Sequence, residues 1–150
     1  MFQWIRLSIF LSGLLMLAGC FGGSSGPEIK LEPVTGTVTI NEEPGSQVEL
    51  VFLPLDGTPG TGAYAVTDET GAFTLKHRNG ENGIEAGKYK VIFSKFVKPD
   101  GSPLLPDEDA ATMGIEQLPA MYTNMERTKV EAEVPAGGNT LQFDLKVKTK

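Results

Sequence analysis

Apolar and polar residues alternate along much of the chain after residue 33, in short runs separated by Gly, Pro, Asn and Asp. In the first run Val34, Gly36, Val38 and Ile40 share one face, and threonines occupy the other, as in a strand with one buried face. Six later runs repeat this period of two. We therefore predict seven strands, which include residues 34–40, 48–52, 64–66, 73–75, 89–93, 130–134 and 141–147.

The pairing of these strands follows from their apolar faces. Residues 67–71 are polar and end in Gly71, which is typical of a hairpin loop, so we predict that the third and fourth strands pair antiparallel. Each strand has one face to bury, and no long helical pattern is available to cover it. The predicted fold class is therefore all-β, a seven-stranded antiparallel β-sandwich.

A different pattern occupies the first twenty residues, where Arg6 is the only charged side chain. Residues 7–18 are almost continuously apolar, interrupted by Ser8, Ser12 and Gly13, and small residues follow. This run is shorter than the roughly 17 to 25 residues that a membrane-spanning helix needs. The layout is typical of a secretory signal peptide, and we expect no permanent transmembrane anchor.

The leader ends in Leu17-Ala18-Gly19-Cys20, which resembles the lipobox of bacterial lipoproteins at every position. The resemblance implies cleavage before Cys20 and attachment of diacylglycerol to its thiol, with further acylation such as palmitate. Cys20 is the single cysteine, and the alternative is a buried thiol near an ordinary cleavage site. Phe21 follows, where an aspartate retains such proteins in the inner membrane of enteric bacteria, so the outer membrane of the cell envelope is favoured.

These features divide the chain into three parts. Residues 1–19 are the predicted lipoprotein signal peptide, and residues 20–32 are the lipidated cysteine with a flexible tether rich in Gly and Ser. Residues 33–150 form the predicted β-sandwich domain.

Acidic residues outnumber basic ones, 19 to 13, which gives a formal net charge of −6. Nucleic-acid binding requires clustered Lys and Arg that displace counterions from phosphates, whereas the lysines here are dispersed. We therefore expect no nucleic-acid partner.

Three motifs mark the domain more closely. They are Val34-Thr35-Gly36-Thr37-Val38, Thr67-Asp68-Glu69-Thr70-Gly71-Ala72-Phe73 and Gly87-Lys88-Tyr89-Lys90-Val91. In this order they resemble the V-x-G-x-V, T-D-x-x-G-x-F and G-x-Y-x-V signatures of carboxypeptidase regulatory-like domains. The resemblance covers about residues 33–94, and residues 118–122 with the last two strands resemble small lipoproteins that carry this domain. It implies a transthyretin-like or immunoglobulin-like sandwich, and says little about activity.

Catalytic motifs are missing from the sequence. His77 is the only histidine, so it cannot belong to a histidine cluster, and we expect it to be structural or solvent-facing. Hydrolases of the transthyretin-like fold use several histidines, an arginine and a C-terminal tetrapeptide, which this chain lacks. No nucleophile elbow, phosphate loop or zinc motif occurs. We therefore predict that the protein is not an enzyme, with such a hydrolase kept as an alternative.

Two features of the long segment 96–127 bear on function. Asp100, Asp107, Glu108 and Asp109 could bind Ca²⁺, which leaves a calcium-dependent carbohydrate-binding domain as a second alternative, although their spacing matches no calcium loop and a solvated acidic connection is favoured. No cofactor is expected apart from the acyl groups on Cys20. Apolar residues form a candidate binding loop of Leu118, Met121, Tyr122 and Met125.

The candidate loop has two interpretations. It can present an adaptable apolar surface to an envelope protein or polysaccharide, or residues 118–122 can simply pack across an open end of the sandwich, which we favour. The sequence thus predicts a membrane-anchored envelope lipoprotein whose non-catalytic sandwich is a binding or structural module.

Overall fold

The computed structural model describes residues 29–105 and 107–148. The predictions for the leader, for Leu17 to Cys20 and for most of the tether lie outside these residues. The strands are β1 (Val34–Ile40), β2 (Glu43–Pro44), β3 (Glu49–Pro54), β4 (Ala63–Val66), β5 (Ala72–Thr74), β6 (Lys76–His77), β7 (Gly87–Ser94), β8 (Phe96–Val97), β9 (Ile115–Glu116), β10 (Glu131–Val134) and β11 (Asn139–Leu145), and the helices are α1 (Ala110–Met113) and α2 (Ala120–Thr123).

The strands form two main sheets, as expected for an all-β sandwich. One sheet has the order β11-β1-β2, with β5 also paired to β1, and the other has the order β10-β7-β3-β4-β6. Strands β8 and β9 form a separate two-stranded ladder. All pairs are antiparallel except β1 with β11, which is parallel and aligns Val34 with Asn139.

Aromatic side chains join the two sheets. The Phe143 ring on β11 lies 5.1 Å from the Phe93 ring and 6.3 Å from the Phe52 ring, both on the opposite sheet, measured between centroids. It also stacks on Phe73 of its own sheet. Such edge and stacked pairs add attraction to the burial of apolar area. The fully buried side chains around this cluster include Val34, Val38, Val48, Leu50, Leu75, Ile84, Tyr89, Val91 and Leu145.

The predicted hairpin between the third and fourth strands is wrong. Strand β4 pairs with β3 and β6, whereas β5 pairs with β1 in the other sheet. The turn 67–71 therefore crosses between sheets. It is held there because the backbone N–H of Val38 donates to Gly71 O at 2.8 Å and that of Thr67 donates to Val48 O at 2.9 Å.

The strand count and one strand direction also differ from the prediction. Each of the seven predicted segments contains a strand, but β2, β6, β8 and β9 are additional two-residue strands and β11 ends at Leu145. The parallel pair arises because residues 135–138 carry the chain from β10 to the start of β1, where the N–H of Asn139 donates to Pro33 O at 3.1 Å.

The sandwich has two distinct ends. The base comprises residues 29–33, 55–62, 78–86 and 135–138, and the far end comprises residues 41–47, 67–71 and 95–128. Strand β7 runs between them over 8 residues, a length of roughly 25 Å. The long segment that contains the candidate loop therefore lies at the opposite end from the point where the chain enters the fold.

Ordered contacts at the base include Glu32, which we had placed in the tether. Its backbone pairs with Ile84, and the N–H of Gly137 donates to its carboxylate at 2.9 Å. The fold thus begins before residue 33. Among the described residues, no helix has the length and apolar character needed to cross a membrane.

Candidate functional site

The candidate binding loop divides into core and surface residues. Leu118 and Tyr122 are buried in the apolar core. The Tyr122 ring packs edge-on against Phe93 with centroids 6.3 Å apart. Its hydroxyl accepts a hydrogen bond from the Lys146 N–H at 2.9 Å and donates to the Lys146 carbonyl at 3.4 Å. These two residues therefore close the far end of the sandwich, which is the interpretation we favoured.

The two methionines of the loop lie on the surface instead. Met121 is 54% exposed and Met125 is 55% exposed. Met113 and Ile115 in the same segment are also exposed. Unbranched, polarisable Met side chains adapt to different partner surfaces. The far end therefore presents apolar side chains to solvent on a segment that is anchored from beneath by Tyr122.

A groove of about 430 Å³ lies at the far end and is lined in part by Leu118. Its apolar wall includes Ile40, Pro44, Val97 and Val147, and its polar wall includes Lys95. The mixture of apolar area and hydrogen-bonding groups is typical of binding sites. The groove joins the β1–β2 turn to the long segment, which the sequence pattern alone did not predict.

Three of the four acidic residues considered as calcium ligands serve local structure, and the fourth, Asp107, is exposed. Asp100 accepts hydrogen bonds from the hydroxyl and the N–H of Ser102, which lower the pKa of its carboxyl group. Asp109 caps α1 by accepting from Ala111 N–H at 2.9 Å. Glu108 accepts from the Leu105 N–H, the largest influence lowering its pKa.

An ion pair completes the bonding of Glu108, whose carboxylate lies 2.8 Å from Lys98 Nζ. Within residues 29–105 and 107–148, no three His, Cys, Asp or Glu side chains come close enough to hold a metal ion. The acidic segment is therefore organised by turns, a cap and an ion pair.

His77 lies at the base and is buried, so of the two roles expected for it the structure agrees with the structural one and not with the solvent-facing one. Its Nε2 is 3.4 Å from Glu85 Oε1 and 3.5 Å from Thr61 Oγ1. Its Nδ1 accepts a hydrogen bond from the Asn79 N–H at 3.4 Å, so Nε2 is the ring nitrogen that can donate to Glu85.

The arrangement around His77 does not form a nucleophile relay. In such a relay the hydroxyl and the carboxylate contact opposite nitrogens of the ring, so that one accepts a proton while the other orients the ring. Here Thr61 and Glu85 both approach Nε2. His77 therefore cannot deprotonate the hydroxyl while donating to the carboxylate, and the pair is a buried polar contact.

Glu85 is the member of this cluster that sequence reasoning missed. It lies between strands next to Ile84, and nothing in the alternation distinguishes it from an exposed glutamate. The Tyr89 hydroxyl donates to its backbone carbonyl at 2.7 Å. Burial, together with the nearby Glu85 charge, raises the pKa of Tyr89 to about 12.

Comparisons with known proteins give little further information. No protein-family model matches the chain, and no match is found among curated proteins. A likeness is found to the crystal structure of a 9R-lipoxygenase from Cyanothece PCC8801, with a TM-score of 0.35 and 17% sequence identity. The matched region covers 81% of this chain and 17% of the lipoxygenase chain, so this protein spans a small part of that enzyme's length.

Proposed function

We propose that this protein is a lipid-anchored envelope lipoprotein whose non-catalytic β-sandwich presents its far end as a binding or structural surface. The single observation that carries the proposal is the position of Cys20, the only cysteine, directly after the small residues that end an apolar leader. Two or more acyl chains on that residue would hold the protein durably, whereas a single chain binds a membrane reversibly.

The short distance along the chain from Cys20 to the base supports an orientation in which the far end is directed away from the membrane. Eight residues separate Cys20 from Ile29, the first described residue, and a chain of that length reaches at most roughly 30 Å. The base, where Glu32 is fixed to Ile84 and Gly137, then lies nearest the lipid. The segment with Met121 and Met125 is directed away from the membrane, where an envelope protein or polysaccharide can reach it.

The absence of a relay at His77 supports a non-catalytic role, since both of its side-chain neighbours contact the same ring nitrogen. The carboxylates of Asp100, Glu108 and Asp109 are bonded to their own segment. Neither the hydrolase nor the calcium-dependent alternative is favoured by a specific contact.

Metabolic labelling with radioactive palmitate tests the anchor. We expect the native protein to incorporate label and to remain with membranes after a high-salt wash, because acyl chains are held by apolar contacts rather than by charge. Cys20→Ser should abolish the labelling, and Ser25→Ala in the tether should leave it unchanged. Equal labelling of the native protein and Cys20→Ser would contradict the proposal.

Membrane fractionation tests the favoured location. By the resemblance to enteric lipoproteins, the native protein with Phe21 is expected in the outer-membrane fraction. Phe21→Asp should move it to the inner membrane, with Ser24→Ala as the control that should not. Recovery of the native protein from the inner membrane would contradict this part of the proposal.

A further inference from the structure

A second groove, of about 590 Å³, lies at the base of the sandwich. Its apolar wall includes Ile29, Pro59, Ala86 and Ala136, and two carboxylates, from Glu32 and Glu85, also line it. An apolar groove with a few fixed charged groups is the usual composition of a small-molecule site.

The Glu85 carboxylate is poorly compensated. Its side chain is 9% exposed, and its Oε1 has a single partner among the described residues, the His77 ring at 3.4 Å. Its Oε2 is buried without a hydrogen-bond partner among the described residues. A buried carboxylate is strongly destabilising unless charge or several hydrogen bonds offset its loss of water. This oxygen therefore lacks a hydrogen-bond donor, and a positively charged donor would also offset the charge of the carboxylate.

The second carboxylate shows which kind of cation the groove accepts. The Nζ of Lys30 lies 2.8 Å from Glu32 Oε1, although the Lys30 side chain is 77% exposed and that of Glu32 is 6% exposed. The hydrogen bond from Lys30 is the largest influence lowering the pKa of Glu32. The ammonium group of Lys30, at the end of its own carbon chain, therefore already binds a carboxylate in the wall of the groove.

We propose that the groove at the base binds a small organic ammonium ion, whose N–H groups donate to the Glu85 carboxylate in the groove wall while its carbon chain lies against Ile29, Pro59 and Ala136. Position 60 is glycine, and a Cβ there would overlap the Glu85 carboxylate, so the Gly60 backbone packs directly against this carboxylate in the wall of the groove. Charge selects a cation, because the lining contains two carboxylates and one lysine. The donor set is too small for a metal ion within the described part of the chain.

This inference goes beyond the proposed function and does not require the lipid anchor. The ammonium can come from a free amine or from the ethanolamine headgroup of a phospholipid. Both supply the same chemistry, an ammonium on a short carbon chain, and the experiment therefore includes an arm for each source.

Calorimetric titration of the full chain, purified in nonionic detergent, tests the site with n-butylammonium chloride. We expect saturable binding, and 1-butanol, which has the same chain length and no charge, should bind at least about tenfold more weakly. Glu85→Gln should weaken n-butylammonium binding about tenfold or more, because the negative charge that strengthens the hydrogen bond from the ammonium is removed. Lys30→Met should tighten it, since a positive charge is removed from the lining of the groove.

Two further variants separate binding from folding. Glu133→Gln removes an exposed carboxylate of β10 and should leave the affinity unchanged. Ala136→Leu places a larger side chain on the exposed rim of the groove and should weaken binding while the protein remains folded. The Ala136→Leu result applies even if Glu85→Gln disturbs the base.

Several results would overturn the proposal. The first is that n-butylammonium shows no saturable binding, which would mean that water or a proton satisfies Glu85. The second is that 1-butanol binds as tightly as n-butylammonium. The third is that the affinity is unchanged in both Glu85→Gln and Ala136→Leu. Vesicles distinguish the sources. Glu85-dependent binding of the Cys20→Ser chain to phosphatidylethanolamine over phosphatidylcholine assigns the ammonium to a lipid headgroup, and equal binding to both assigns it to a free amine.

Discussion

The Thr67 hydroxyl joins two turns at the far end of the sandwich. It donates to Gly45 O at 2.6 Å and accepts from the Val48 N–H at 2.8 Å. Thr67 is buried, so neither backbone group can turn to water if the hydroxyl is removed. A threonine in a polar loop thus has a structural role that its position in the sequence does not reveal.

Replacing Thr67 by valine keeps the shape of the side chain and removes both hydrogen bonds. We expect the free energy of unfolding to fall by about 1–3 kcal/mol, the cost of leaving buried polar groups unpaired. Urea denaturation measures the change. Thr35→Val, at an exposed position of β1, is the matched control and should change stability by less than about 0.5 kcal/mol. Equal effects of the two substitutions would show that the Thr67 contacts contribute nothing.

The packing around Gly36 explains why the first motif has a glycine at its centre. A Cβ at this position would overlap Leu141 O on the neighbouring strand and approach the Phe73 ring to 2.7 Å. Close approach of the parallel β1 and β11 backbones, with an aromatic ring above them, leaves no room for a side chain. The sequence contains this glycine but not the reason for it, because the contacts lie more than thirty residues away.

Gly36→Ala should therefore destabilise the protein by at least about 1–3 kcal/mol, the usual effect of overpacking. The measurement is the shift of the thermal midpoint. Thr37→Ala, on the exposed face of the next position, is expected to cost no more than about 1 kcal/mol. A Gly36→Ala protein as stable as Thr37→Ala would mean that β1 and β11 are not in this close contact.

At the scale of elements, the turn 67–71 is organised by one carboxylate. Asp68 accepts from the Thr70 hydroxyl at 2.7 Å, the Thr70 N–H at 2.8 Å and the Ala72 N–H at 3.0 Å. These bonds, that of the Thr70 hydroxyl first, lower the pKa of Asp68 below its usual value of 3.8. Because the pKa is lower in the folded state, the ionised carboxylate stabilises the fold above the unfolded pKa, and this contribution is lost as the pH falls through the folded pKa.

Asp68→Asn should reduce the loss of stability on acidification. We expect the urea midpoint of the native protein to fall more than that of Asp68→Asn between neutral pH and about pH 3, since the amide cannot bind the proton. Thr70→Val removes the hydroxyl and keeps both N–H donors, so it should give an intermediate change. An identical change in all three proteins would contradict this function of Asp68.

The alternation of residues predicts which segments become strands but not which strands become neighbours. Val38, Leu50 and Phe93 were placed correctly on inward faces, and all three are buried. The partner of β5 could not be predicted, because its one inward aromatic, Phe73, fits equally well in either sheet. Only the contacts around residues 67–71 determine that the chain crosses to β1 there and returns as β6.

The segment 95–128 depends on α2 and its Tyr122. Tyr122→Ala should remove the ring that packs on Phe93 and the bonds to Lys146, so that the segment opens without unfolding the sheets. We expect trypsin to cleave at Lys98 and Arg127 several-fold faster, as measured by mass spectrometry. Met121→Ala, an exposed neighbour in the same helix, should leave the rates unchanged. Cleavage that is equally fast in both variants would contradict the anchoring role.

At the scale of the whole molecule, the described chain begins at the base, at Ile29, and the far end carries the long segment. The sequence predicted that this segment bears on function and that residues 118–122 could pack on the core, because their apolar character is visible in the sequence. It could not predict the His77–Glu85 contact, since no spacing rule connects a strand-end histidine to a glutamate eight residues on. Both ends are formed by contacts between residues that are distant in the sequence, so the sequence pattern does not reveal them. The predicted leader and Cys20, in contrast, are recognised from a local sequence pattern.

Mass spectrometry of the mature protein's N-terminal peptide tests the central claim most directly. Purified from its membrane, the protein should begin at Cys20 and carry the added mass of a diacylglycerol group, with acylation of the new amino terminus as a further increment. A chain that begins at Met1, or a Cys20 thiol without lipid, would contradict our proposal that this sandwich is held at a membrane by its first mature residue.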